Sequence, residues 1–186
     1  MKVQEIMTRD VESCSPDTNL ATVAMMMWRC DCGVIPVRNE DGTVKGLITD
    51  RDICMAVATQ HRLADEIRVE EVMTGAVHAV RITDDVEVAE QRMRSERVRR
   101  LPVVNDDGRL AGVVSVNDLV LNADSSTRGR RDRISTEDVM SVLRAISGHR
   151  NGHEERPPSA SVTGNSHEEL QAHRIRDRNR RPFKGS

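Results

Sequence analysis

The chain has 186 residues, room for one or two domains, and its aromatic content of one tryptophan, Trp28, and one phenylalanine, Phe183, excludes a surface that stacks nucleic-acid bases. The formal net charge of −2 is unevenly placed: from Asp124 onward there are 13 Lys and Arg against 9 Asp and Glu, and before it 15 against 21. The larger, acidic part is therefore a poor non-specific binder of nucleic acid, and only a basic end, Arg174 to Lys184, offers nucleic acid a contact. No apolar run is long enough to span a bilayer and no apolar segment follows Met1-Lys2-Val3, so a soluble, cytoplasmic protein with no membrane partner is expected.

Residues 3 to 8 lead in as a short turn or helix. After Ser15-Pro16-Asp17, apolar residues at Leu20, Val23, Ala24 and Met27 form the stripe of an amphipathic helix. Val34-Ile35-Pro36-Val37 reads as a short strand whose proline suggests an edge or an irregular end. Asn39 to Gly42 is a turn and Thr43 to Ile48 a second strand, which together make a hairpin. Thr49 to about Ala58 is a closing helix, and Gln60 to Arg68 a polar connector.

The same order then returns 66 residues later. Val3, Glu5, Met7 and Thr8 fall on Val69, Glu71, Met73 and Thr74; Pro36, Val37, Asn39, Asp41 and Gly42 fall on Pro102, Val103, Asn105, Asp107 and Gly108. Gly46-Leu47-Ile48-Thr49-Asp50-Arg51-Asp52 likewise returns as Gly112-Val113-Val114-Ser115-Val116-Asn117-Asp118. The chain contains two copies of one unit. With a short strand near Cys14 or at Val77 to Val80, each copy reads β-α-β-β-α. The second has a helix marked by Val86, Ala89 and Met93, strands at Leu101 to Val104 and Leu110 to Ser115, and a last helix from Val116 to about Ala123. Neither copy is large enough to bury its sheet face alone, so the two are expected to pack as one body.

The shift also sorts the cysteines. Cys14, Cys32 and Cys54 align with Val80, Val98 and Val120, which favours buried free thiols, while Cys30, opposite Glu96, reads as exposed. Cys30-Asp31-Cys32 is too tight for the usual zinc knuckle and no nearby histidine completes a site, so packing is favoured over a metal or a disulfide. His78, the one histidine inside the repeats, reads as a strand residue. A third helix follows a polar stretch, with Ser135 or Thr136 at its N-cap and Val139, Val142, Leu143 and Ile146 on one face, which must dock on the repeat pair or on another subunit. From Gly148 the sequence is polar and without period and reads as disordered.

In both copies a strand ends in Thr49 or Ser115 and passes directly into a helix, leaving backbone N–H groups and a hydroxyl where an anion is favoured. Asp52 or Asp118, one turn on, can accept from the vicinal hydroxyls of a ribose. Glycine at 46 and 112 permits a close backbone approach. The competing reading needs no ligand: a hydroxyl residue followed three positions later by an acid is a helix capping box. No serine or cysteine nucleophile has an evident histidine partner, so an enzyme is not expected.

Two tandem units with a leading Val-x-x-Ile/Val-Met-Thr, a hydrophobic-Pro-Val strand, an Asp-Gly turn and Gly-x-x-Thr/Ser-x-x-Asp resemble a pair of CBS domains, a Bateman module. The added helix is similar to that of stand-alone two-CBS proteins of the bacterial hypoxic-response type, which implies a regulatory role in a stress response. The resemblance implies an α/β (α+β) fold of two CBS units, 1–59 and 69–125, joined by a linker at 60–68 and related by a pseudo-two-fold axis. A polar linker (126–134), the amphipathic helix (135–148) and a disordered basic tail (149–186) complete the chain. It implies a non-catalytic regulatory module that needs no cofactor and binds AMP, ADP, ATP or S-adenosylmethionine between the units. Thr49, Arg51, Asp52, Ser115 and Asp118 would meet ribose and phosphate. Val34, Ile35 and Pro36 would form an apolar wall beside the first motif; Arg99 and Arg100, just before Leu101 and Pro102, would serve the second. The alternative is a ligand-free scaffold that acts through protein contacts. The resemblance also implies a disc-like homodimer and an effector protein outside this chain; Met25, Met26 and Trp28, where the second copy has Gln91, Arg92 and Arg94, fit a covered dimer surface or a wider core.

Overall fold

The computed structural model describes residues 1–75, 77–124 and 134–148. In the first copy, α1 (Val3–Ile6) leads to α2 (Leu20–Arg29), β1 (Val34–Arg38), β2 (Val44–Thr49) and α3 (Asp50–Gln60). In the second, a single 3₁₀ turn (Val69–Glu71) leads to β3 (Val80–Arg81), α4 (Val86–Glu96), β4 (Arg100–Val104), β5 (Leu110–Ser115) and α5 (Val116–Leu121). Two short strands, β6 (Ala123–Asp124) and β7 (Ile134–Ser135), pair in parallel and precede α6 (Thr136–Ser147).

Each hairpin pairs antiparallel, Ile35 opposite Ile48 and Leu101 opposite Val114. Neither proline strand is an edge strand: β4 lies between β3 and β5, and β1 carries β2 on one side and a parallel bridge from Cys14 on the other. Pro36 is tolerated because its carbonyl already accepts from the Cys14 N–H, and the N–H it lacks would point beyond the start of that pairing, where no ladder has begun.

The copies exchange their lead-in segments. Thr8 pairs with Val113 on the free side of β5, and Thr74 pairs with Leu47 on the free side of β2. The two bridges are one bridge seen twice, since a shift of 66 turns Thr8 into Thr74 and Leu47 into Val113. Lys2 with Asp85 and Asn19 with Arg68 interchange in the same way, and Thr43 meets Arg109, its own counterpart, so this last bridge lies on the pseudo-two-fold axis. The cores follow the exchange: Val3, Ile6 and Met7 are buried with the second copy's Val103, Val114 and Leu119, while Ile67 and Val69 are buried with the first copy's Leu20, Ile35 and Ile48. Each such aliphatic side chain contributes about 1.5–3 kcal/mol on full burial.

Several expectations are corrected. The connector carries three apolar residues: Leu63 is exposed and Ala64 packs at the edge of the first core, while Ile67 is 0% exposed, its backbone carbonyl accepting from the Leu20 N–H and holding it over the core. Ala24 is exposed on the flank of the α2 stripe. Cys14 is buried and Cys30 exposed, but Cys32 is half-buried and Cys54 exposed, because the α3 face that carries Cys54 is uncovered. His78 lies in the loop before β3, within 3.4 Å of Glu96. The last helix of the second copy ends at Leu121, where the chain turns into β6. The stripe of α6 docks on the second copy: Val139 and Val142 are buried with Val86, Ala89, Met93 and Leu119, and Leu143 and Ile146 pack against them. The expected disordered tail lies outside the described residues.

Candidate functional site

Three helices begin with the same local chemistry. At α3, the Thr49 N–H and Oγ1 both donate to Asp52 Oδ2 at 3.0 and 2.7 Å, and the Asp52 N–H donates back to Oγ1 at 3.2 Å. At α5, Ser115 N–H and Oγ both donate to Asp118 Oδ2 at 2.7 Å, with the return bond at 3.4 Å. At α6, outside the repeats, Ser135 N–H and Asp138 N–H make the equivalent bonds at 3.3 and 3.1 Å. A capping box satisfies helix N–H groups whether or not a ligand is near, so the box alone carries no function. What distinguishes the box at α5 is the wall in front of it.

A cleft of about 290 Å³ opens in front of Ser115 and Asp118. Its far wall is Val34, Ile35 and Pro36 from β1, with Arg100 and Val113 alongside and Thr8, Asp10, Val11 and Glu12 from the crossing lead-in segment. Val34 stands opposite Thr49 in its own hairpin, beside the first motif as expected, and Val34 to Pro36 also line the cleft before the other copy's Ser115 and Asp118. Thr49 and Asp52 are half-buried, and Leu101 and Pro102 are buried. Arg51 and Arg99 are exposed, and Arg100 is half-buried in the wall of the Ser115 cleft.

Why a glycine precedes each motif is set by the exchange. A Cβ on Gly46 would lie 2.7 Å from the Thr74 carbonyl oxygen, and one on Gly112 would run into the Thr8 carbonyl. Each lead-in segment therefore crosses the other copy's hairpin against a glycine.

Sequence reasoning missed Thr8, Asp10, Val11, Glu12, Cys30 and Cys32 as cleft residues. One signal was present: Thr8 and Thr74 match in both copies at positions where neither core needs a hydroxyl. The cleft is acidic, with Asp10, Glu12 and Asp118 against Arg100. Desolvation, then the Glu12 carboxylate and Cys32, push the Cys30 thiol up, and burial pushes Cys14 up to about 11, so neither is a ready nucleophile. Among the described residues no group of three or more His, Cys, Asp or Glu is placed to hold a metal, and no helix is long and apolar enough to cross a membrane.

Comparison with known proteins agrees with the geometry. The CBS domain family profile matches residues 3–59 and 69–123, more than half of the chain. The CBS domain-containing protein YhcV of Bacillus subtilis is 34% identical over 151 residues, 81% of this chain and 98% of that protein. Among solved structures, the CBS domain protein PAE2072 from Pyrobaculum aerophilum, complexed with AMP, aligns with a TM-score of 0.57 and 28% identity over 64% of this chain and 90% of that one. Hypoxic Response Protein I, solved with two coordinated zinc ions, shares the fold at a TM-score of 0.61 and 24% identity over 67% of this chain and all of that one.

Proposed function

The chain belongs to the CBS-domain family, and from that premise we propose that it is a non-catalytic, cytoplasmic sensor that binds an adenosine compound in the cleft before Ser115 and Asp118. The observation that supports this most is the pairing of an apolar wall, Val34 to Pro36, with a helix N-terminus and an acid across an open space of about 290 Å³. Asp118 lines the cleft and receives both Ser115 donors through Oδ2, which leaves Oδ1 outside the capping box as the acceptor for a ribose hydroxyl. The space is at the small end for ligand pockets, which suits a nucleoside or mononucleotide. Arg100 can meet one phosphate, but Asp10 and Glu12 repel a chain of them. AMP and S-adenosylmethionine are therefore ranked ahead of ADP and ATP. Thr49 and Asp52, with Arg51 outside them, form a second, counterpart site. The protein acts as a homodimer, and the signal passes to an effector protein by a change in the relation of the two units, which requires the ligand to bind two states unequally.

Calorimetric titration of the full chain with AMP, ADP, ATP and S-adenosylmethionine tests this. Asp118→Ala is expected to weaken the favoured ligand at least tenfold, about 1.4 kcal/mol, whereas Asp138→Ala, which breaks the capping box outside the repeats, leaves affinity unchanged. Asp10→Asn with Glu12→Gln is expected to narrow the gap between AMP and ATP. Absence of binding at millimolar ligand would leave the motifs as helix caps and make a ligand-free protein-contact scaffold the better description.

A further inference from the structure

Where α2 ends, the chain makes a turn that both copies share. The Cys30 and Cys32 N–H groups donate back to the Met26 and Met27 carbonyls at 3.0 Å, with Asp31 between them in the left-handed region at φ 48°. In the second copy the Val98 N–H donates to the Met93 carbonyl at 3.1 Å, and Arg97 stands at φ 53°. The turn therefore belongs to the fold, but only the first copy flanks it with thiols, where the second has Glu96 and Val98. Both thiols are free and both residues line the cleft before Ser115. Cys32 Sγ donates to the Val34 carbonyl at 3.4 Å, and the Cys30 thiol lies beside the Glu12 carboxylate; Val34 and Glu12 line the same cleft.

This placement meets the demands of a disulfide. Residues two apart are separated by at most about 7 Å between Cα atoms, and the left-handed bend at Asp31 shortens that toward the about 4.4–6.8 Å that a disulfide spans. Cys30 is exposed and Cys32 half-buried, so an incoming reagent reaches Cys30 first and Cys32 stands behind it to resolve the product. The reagent's charge is selected by the cleft, where Asp10, Glu12 and Asp118 outnumber Arg100 and repel anions.

We propose that Cys30 and Cys32 are a reversible dithiol pair in the cleft, closed to a disulfide by exchange with a small neutral or cationic disulfide. In the first step Cys30 Sγ attacks the reagent, its S–S bond breaks, and one small thiol leaves with the proton that Cys30 loses. In the second, Cys32 Sγ attacks Cys30 Sγ and releases the other small thiol with the Cys32 proton, so the protein is oxidised by two electrons and the reagent reduced by two. Desolvation and the Glu12 carboxylate keep Cys30 as the thiol, which makes the first step slow. In the closed form neither sulfur carries a hydrogen, so the donor to the Val34 carbonyl is lost and the cleft wall changes with the redox state.

Trypsin cuts after Arg29 and Arg38, so both cysteines fall in one peptide, 30–38, and Cys54 in another, 52–62. The full chain is treated with cystamine, hydroxyethyl disulfide or oxidised glutathione, and the peptides are weighed over time. Peptide 30–38 is expected to become lighter by two hydrogens and to recover with a dithiol reductant. Cys54→Ser is expected to change nothing, and Cys32→Ser to leave a lasting mixed disulfide on Cys30. With each rate divided by that of the chain unfolded in urea, cystamine is expected to act about tenfold faster than oxidised glutathione at low salt, a gap that salt narrows. Glu12→Gln is expected to speed the first step by about threefold or more. A mixed disulfide that persists on Cys30 of the parent chain, or a link between peptides 30–38 and 52–62, overturns the pair. Equal normalised rates for cystamine and oxidised glutathione overturn the reagent class, and an unchanged rate in Glu12→Gln overturns the role of Glu12. The masses are read with no nucleotide present, so the pair stands or falls apart from the sensor reading.

Discussion

Glu90 shows how much one side chain depends on an element far along the chain. It is 4% exposed, beneath α6, and faces Asp138 from α6 with Glu87 and Arg94 of its own helix, the last at 3.9 Å; Asp85 lines the same small cavity. Desolvation first, then Asp138, raise its carboxyl from 4.5 to about 7, with Arg94 opposing. A raised carboxyl means that the folded state holds the proton more tightly. Its contribution is therefore fully present below pH 4.5 and lost as pH rises through about 7, to the extent of about 3 kcal/mol. Urea denaturation of Glu90→Gln is expected to show a gain of about 2–3 kcal/mol over the parent chain at pH 8 and almost none at pH 4. A gain independent of pH would refute the linkage. Nothing in the sequence foretold this, since the shift that pairs Glu90 with Ala24 says nothing about a helix outside the repeats.

Among the elements, the helices and hairpins were legible because their apolar periods are local, and α6 was placed by its Ser135 cap and four-residue stripe. The exchange of lead-in segments was not legible: Val3, Ile6 and Met7 are separated by about a hundred residues from the core they fill, and an apolar residue does not encode which of two like cores receives it. Gly46 and Gly112 were read correctly as sites of close approach, but which backbone approaches was not encoded locally. Gly112→Ala must push the Thr8 carbonyl aside and so detach the crossing strand. A loss of about 1–3 kcal/mol is expected, together with a lower melting temperature, and Gly46→Ala should act likewise through Thr74. A substitution at Gly75, where a Cβ has nothing within 4 Å, is the control.

At the scale of the whole molecule, the candidate site was half legible. Ser115 and Asp118 stood out by their spacing and Val34 to Pro36 by their composition, but that the two groups line one cleft was not legible, because facing across a symmetry axis is a property of the pair and not of either copy. The asymmetry between the copies was visible in Met25 and Trp28, but that α6 covers the helices of the second copy required the structure. The axis itself has a further consequence. A chain holding a single copy could fill its core in this way only by taking the lead-in segment of another such chain. The connector of residues 60 to 68 makes that encounter one within a molecule, at an effective concentration set by its length rather than by the concentration of the protein. The two halves therefore need not be identical, and on the second alone α6 covers the helices.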